Sequence, residues 1–288
     1  MKANAVKETL MKAVFGIAAG VSVLAVVLIC VFLFANGLPA IGKIGVFDFL
    51  FGQTWKPGNN LYGILPMILG SIYVTAGAII IGVPIALLTS VFLAWFCPKK
   101  IYGICESGIN LMAGVPSVVY GFFGLVLLVP AIKNLLGLRN GNTMLTASIL
   151  LAIMILPTVV GVTEAALQSI PRSYYEGALA LGATHTHSVF FTVVPAAKSG
   201  IIAGIVLGIG RAIGETMAVI MVAGNQARMP KGIMEGIRTL TSNIVLEMGY
   251  AADLHREALI ATGVVLFVFI MIINLVVSAL NWRSGNGK

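Results

Sequence analysis

Two ionisable residues, Arg211 and Glu215, stand inside an otherwise apolar run from Ser199 to Gly224. Charge inside hydrocarbon is costly, and where it persists it lines a pathway or meets an opposite charge. Residues spaced i, i+4, as these are, can pair on one face of a helix. A guanidinium suits phosphate and related oxyanions, because its planar fork meets two oxygens at once. The chemistry offered is therefore anion recognition, with Glu215 holding Arg211 or exchanging with a substrate; an ion pair locking helices is the plainer alternative. Gly200, Gly204 and Gly208 precede the two charges at the spacing of a small-residue seam, which lets two helices approach closely. At about 100° per residue, all five positions share one face, so the charges are expected to look into packed protein.

A second feature is a polar island running from Ile170 to Pro195. Ser173-Tyr-Tyr-Glu176 has the form of a capping box, in which Ser173 caps a helix and Glu176 reaches back to the Ser173 amide. Pro171 precedes the start, and Gly182 stands where a left-handed C-terminal cap is needed. Thr184 is placed to cap a second short helix ending before Pro195. Two stiff helices in a loop make a surface that another protein can push on.

These features need elements to hold them, and the composition says which. With 59% hydrophobic and 10% charged residues, this chain requires the bilayer as its solvent. The net charge of +8 is then a property of loops at lipid headgroups rather than a footprint for nucleic acid. An apolar helix of about 20 residues crosses the hydrocarbon, and six stretches qualify: Ala13–Ala35, Leu65–Phe96, Gly108–Ile132, Met144–Thr163, Ser199–Gly224 and Ala258–Leu280. The expected fold is all-α and polytopic, with residues 1–12 as a short leading segment and 13–288 as one transmembrane domain. Both termini then lie on one side. Basic residues including Lys2, Lys7, Lys12, Arg283 and Lys288 make that side the cytoplasm.

Pro84, Pro116 and Pro157 fall inside spans and free backbone groups that a neighbour or a water-lined pathway must satisfy. The Phe47–Trp55 segment is expected to anchor at the interface, with Trp55 among headgroups. Residues 225–257 form a long outer connection, in which Ile233, Ile237, Leu240, Ile244 and Leu246 suggest an amphipathic helix lying on the outer surface.

Other chemistry is not indicated. No G-x-x-x-x-G-K-[ST] cradle for nucleotide phosphates occurs, so ATP-driven work would need a partner chain. Cys30, Cys97 and Cys105 lack metal-ligand spacing. His185 and His187 lie two apart and point to different helix faces, while His255 sits with Asp253, Arg256 and Glu257 in a polar rim. No cofactor, metal or catalytic constellation is expected.

Glu176, Ala178, Gly182, Thr192, Val194 and Pro195 fall on the pattern E-A-A-x3-G-x9-I-x-L-P, and in this the chain resembles the permeases of ABC importers. Gly177 departs from the usual Ala, and Thr192 and Val194 from Ile and Leu. Ala113-Gly-Val-Pro-Ser-Val-Val-Tyr-Gly-Phe-Phe-Gly124 and Gly210-Arg-Ala-Ile-Gly-Glu-Thr-Met-Ala-Val219 are similar to permeases of phosphate-specific importers. Trp55-x-Pro57 and Gly63-Ile-Leu-Pro66 favour the C-type (PstC-like) subunit over the A-type.

The resemblance implies a type I, MetI-like architecture in a prokaryotic plasma membrane. It also implies that the loop at 168–195 couples to an ATPase through Ser173, Glu176, Gly177, Ala178, Gly182 and Pro195. The partners implied are a paralogous A-type permease, two copies of a cytoplasmic ATP-binding subunit and an external phosphate-binding protein. Phosphate is the implied cargo, and Arg211 and Glu215 the expected pathway residues. A permease for sulfate, molybdate or phosphonate would share this chemistry. A stand-alone ion-coupled carrier would not need the docking loop.

Overall fold

A chain in hydrocarbon must bond its own backbone polar groups, so the apolar runs cross as helices. In the computed structural model, which describes residues 2–285 and the side chains at 8 and 10–276, five helices are long and apolar enough to span a membrane. The first is α1 (Lys2–Ile44), whose Leu10–Ile44 portion forms the span. It is followed by a short α2 (Val46–Phe51) and an antiparallel ribbon of β1 (Trp55–Lys56) and β2 (Leu61–Tyr62), which with a lone bridge between Gly224 and Ile237 is the small departure from an all-helical chain among the described residues. The second span is α3 (Leu65–Val91), prolonged through Phe96 by a π-helical turn. Lys2, Lys7, Arg283 and Lys288, which entered the charge argument, and the Val277–Leu280 end of the sixth apolar stretch lie outside the described side chains.

The third apolar stretch is not one helix. α4 (Lys99–Gly114) stops at Val115, and a new helix begins after Pro116. Pro116 is extended, at φ −60° and ψ 144°, and its missing N–H and ring keep it from continuing the preceding helix. The crossing is instead Ser117–Leu135, built of α5 (Ser117–Phe123), a π-helical turn and α6 (Val129–Leu135). α7 (Met144–Gln168) forms the fourth crossing and continues past Thr163.

The loop after it carries α8 (Arg172–Ala180), α9 (His185–Ser188) and α10 (Val194–Ala196). α11 (Lys198–Gly214) follows at a bend of 70°. The expected straight span over Ser199–Gly224 is broken as well: Glu215 is extended, at φ −68° and ψ 128°, before the short α12 (Met217–Val222). α14 (Asp253–Gly285) supplies the fifth long helix.

α3 and α7 pack along their length and form the centre of the molecule, with α11 laid against α7. Val74, Ala78 and Ala86 of α3 meet Leu150, Met154 and Ile155 of α7 in one buried cluster. The two broken helices adjoin, for Gly121 of α5 faces Ala218 and Met221 on α12. Much of α1 is exposed along its apolar length, as are Ile104, Leu111, Val118 and Phe122 on the α4–α5 side. Apolar faces of this kind are the ordinary surface of a membrane protein.

The outer connection lies only partly on the surface, where Ile233 is exposed. Ile237 and Leu240 are fully buried, and the chain before α13 (Leu240–Met248) folds inward. Ile237 N–H donates to Ala223 O at 2.8 Å, Leu240 N–H to Ser71 Oγ at 3.0 Å, and the Thr241 hydroxyl to Glu215 O at 3.2 Å. These bonds satisfy backbone groups of the irregular segment inside the bundle, while Asn225 Oδ1, Gln226 Oε1 and Asn243 Nδ2 are buried there without a partner. Thr239 also caps α13, accepting from Ser242 N–H at 3.2 Å.

Candidate functional site

The α11–α12 break holds the two charges, with Arg211 in the last turn of α11 and Glu215 just past its end. Gly210 and Gly214 weaken the end of α11, and Glu215 turns away from the helix to serve the next one. Its Oε1 accepts from Ala218 N–H at 3.1 Å, satisfying a free amide in the first turn of α12. Arg211 points elsewhere, its Nη1 donating to Thr158 Oγ1 on α7 at 2.9 Å. The expected Arg211–Glu215 ion pair is therefore not formed, because the helical face that would align them ends at Gly214. Among the described residues Arg211 has no carboxylate partner. The guanidinium is half-buried and held by one neutral hydroxyl, which leaves most of its donors without a protein partner among the described residues.

The glycine seam lies directly against α7. A Cβ at Gly200 would stand 2.3 Å from Ala166 Cβ, one at Gly204 2.9 Å from Thr163 Oγ1, and one at Gly208 2.6 Å from Val159 Cγ2. Three clashes along one face mean that α11 sits as close to α7 as backbones permit. This approach brings Arg211 within reach of Thr158.

In the polar loop, α8 begins at Arg172 rather than after Ser173. Pro171, extended at φ −55° and ψ 134°, occupies the capping position and gives no side-chain hydrogen bond. Ser173 is thus inside the first turn, and the expected capping box does not form. Gly182 has φ 86° and closes α8 in the left-handed region, its N–H donating to Leu179 O at 2.9 Å. The Thr184 side chain accepts from His187 N–H at 3.3 Å and caps α9. Helical structure then runs through Val194-Pro195 to Ala196, so Pro195 starts a last short helix instead of following one. Ser173, Glu176 and Gly177 are exposed, Ala178 is half-buried, and Leu181 is 91% exposed. The helix presents its outer face to solvent on the side of the membrane where α3 and α7 end.

A polar cluster not foreseen from sequence closes the other end. Glu247 on α13 accepts from Trp55 Nε1 at 2.8 Å, from Arg238 Nη1 at 2.5 Å and pairs with His255 Nε2 at 2.8 Å. Arg238 also donates to Asn225 O and Asn243 Oδ1, both at 3.0 Å. Trp55 is 5% exposed. It is a buried donor rather than a headgroup anchor, and His255 belongs to the same cluster rather than to a rim. Burial alone would push the Glu247 carboxyl up, but hydrogen bonds from Trp55, His255 and Arg238, together with the Arg238 charge, hold it below the ordinary range. A second buried carboxylate, Glu164, lies one residue past the expected end of the fourth span; it accepts from Tyr102 Oη at 2.8 Å and Gln168 Nε2 at 2.9 Å. Among the described residues no group of three His, Cys, Asp or Glu is placed to hold a metal.

A bundle of apolar helices with two of its runs broken is also the fold of known transport components. Residues 82–284 match the family model described as binding-protein-dependent transport system inner membrane component. The chain is 35% identical to the probable ABC transporter permease protein YqgH of Bacillus subtilis, over 91% of this chain and 87% of that protein. It is 33% identical to the phosphate transport system permease protein PstC of Mesorhizobium japonicum, over 85% of this chain and 81% of that one. A bacterial ABC transporter involved in the import of alginate has the same fold, with a TM-score of 0.63 at 15% identity, covering 94% of this chain and 96% of its counterpart. With several apolar helices able to cross and a family match over most of its length, this chain is a multi-pass inner-membrane protein and belongs to the permease components of binding-protein-dependent ABC importers.

Proposed function

We propose that this chain is the C-type permease of an ATP-driven phosphate importer and forms the pathway together with a paralogous A-type permease. The observation that carries the reading is Arg211, an intramembrane guanidinium at a helix break, bonded to Thr158 and not neutralised by Glu215. Relatives named as phosphate permeases at 31–33% identity support phosphate as the cargo. Phosphate from an external binding protein would pass near Arg211, whose fork can meet two oxygens at once. Both termini are cytoplasmic in this scheme. The loop at 168–195 faces the same compartment, and two ATPase copies engage the assembly, one on this chain's α8. The chain itself moves cargo and hydrolyses nothing.

The experiment is uptake of labelled phosphate into proteoliposomes holding this chain with its partner permease, ATPase and binding protein. Uptake that requires the ATPase and is not competed by sulfate or molybdate supports the proposal. Equal uptake without the ATPase would mean a stand-alone carrier, and competition by sulfate would mean a different oxyanion.

A further inference from the structure

α8 touches the rest of the chain through very little. Of its nine residues only Tyr175 and Ala178 are not exposed. Beside it lies an open cleft of about 500 Å³, lined by Ala94, Trp95, Gln168, Ile170, Arg172, Tyr175 and Glu176. The helix is therefore not seated flat on the bundle, and a narrow contact must hold it.

Besides packing against the Val189–Val193 turn, that contact is aromatic. The Tyr175 ring lies 4.9 Å from Trp95 and 5.6 Å from His185, and its hydroxyl meets His185 Nδ1 at 2.8 Å. His185 in turn packs on Phe96 at 4.7 Å. Trp95 and Phe96 are neighbours in the last turn of the α3 extension, so the four rings close a loop around the end of α3. Ring pairs at these separations and tilts attract beyond the area they bury.

α3 is well placed to carry a displacement. It packs along α7 through the membrane. At its far end Ser71 Oγ accepts from Leu240 N–H at 3.0 Å, and Gly70 abuts Arg238 O. The next residue but one after Arg238 begins α13, whose Thr241 hydroxyl bonds Glu215 O at the break. One continuous helical stretch, α3 with its π-helical extension, thus joins the inner aromatic loop to the segment that covers the charged break.

We propose that Tyr175 is a positioning residue that clamps α8 to the end of α3, so that α3 and the outer segment move with the ATPase. The inference rests on the importer reading and adds the residues that make the mechanical link. Trp95 supplies its side of the clamp through its ring alone, 4.9 Å from that of Tyr175, for its buried indole N–H has no partner.

The test is phosphate moved per ATP hydrolysed, measured in the reconstituted four-component complex after co-purification shows the ATPase bound. Tyr175→Ala and, from the side of the clamp away from the exposed face of α8, Trp95→Leu should each lower that ratio about tenfold. Tyr175→Phe and Trp95→Phe keep a ring and should retain at least about half of it. An unchanged ratio in Trp95→Leu with the ATPase bound would overturn the clamp, as would equal losses in Trp95→Leu and Trp95→Phe. Should Tyr175→Ala fail to assemble, the Trp95 pair decides alone. Failure of the wild-type chain to bind any ATPase would overturn the importer reading instead, and co-purification distinguishes the two.

Discussion

Replacing Glu247 by Gln should loosen the outer segment by an amount the structure allows one to work out. The carboxylate gathers Arg238, Trp55 Nε1 and His255 around it, with side-chain exposures of 9% for Glu247 and 17% for Arg238. Breaking a buried ion pair by removing one partner costs about 3–5 kcal/mol. Here the loss is smaller, because Arg238 keeps Asn225 O and Asn243 Oδ1 and the amide oxygen can still accept one donor. One bond to the ionised carboxylate is lost and another falls to neutral strength, which together give about 2.5 kcal/mol.

That loss corresponds to roughly 60-fold in the equilibrium for local opening. The assay is amide hydrogen exchange on the detergent-solubilised protein. The Ile237 and Ala251 amides, bonded to Ala223 O and Glu247 O, serve as probes. Exchange should accelerate by that factor there and stay unchanged in the middle of α7. Protection within about threefold of wild type at both amides would refute the buried cluster as the fastening.

Four further outcomes follow from the same geometry. Because the Glu247 carboxyl is held below its ordinary range, its contribution is complete above the unfolded value of about 4.3 and is lost as pH falls through the folded one; Ile237 protection owed to Glu247 should therefore be flat from pH 8 to 5 and fall below about pH 4. Gly177→Ala meets nothing within 4 Å and should stabilise α8 by about 0.5–1 kcal/mol, seen as slower exchange in that helix. Gly200→Ala drives a Cβ to 2.3 Å from Ala166 and should cost about 1–3 kcal/mol in resistance to unfolding in mixed micelles. Thr158→Val removes the hydroxyl that steadies Arg211, and should lower reconstituted phosphate uptake roughly fivefold without abolishing it, about the worth of one hydrogen bond.

Much of the architecture is legible in the sequence because the bilayer imposes it. Apolar runs long enough to cross must be helices, and α1, α3, α7 and α14 stand where such runs stand. Local chemistry was equally readable at Gly182 and Thr184, whose roles depend on their own backbone neighbours. Breaks inside apolar runs are harder. Nothing in hydropathy separates a helix through Gly214-Glu215-Thr216 from one that stops there. The decision falls to the Ala218 amide that captures the Glu215 carboxylate. Pro116 gave a clearer signal for its break, though a kink would have served the same sequence.

Long-range partners were out of reach. Trp55 near an apolar edge suggests a headgroup anchor, and its actual acceptor is Glu247, 192 residues away. The outer connection misled for the same reason. Its apolar spacing fits a surface helix, yet Arg238, Thr239, Thr241 and Asn243 find polar partners inside and let the chain turn inward. Ser173 was lost to a neighbour closer at hand, since Pro171 had already turned the chain and started the helix two residues earlier.

Arg211 carries the proposed phosphate passage most directly. Labelled phosphate uptake should be measured in proteoliposomes with the partner permease, ATPase and binding protein, comparing wild type with Arg211→Gln at equal assembly. Loss of a charge-assisted, two-oxygen contact predicts a fall of about 30- to 100-fold or more, with the complex intact. Wild-type uptake by the Arg211→Gln complex would contradict the central claim and leave Arg211 a structural partner of Thr158.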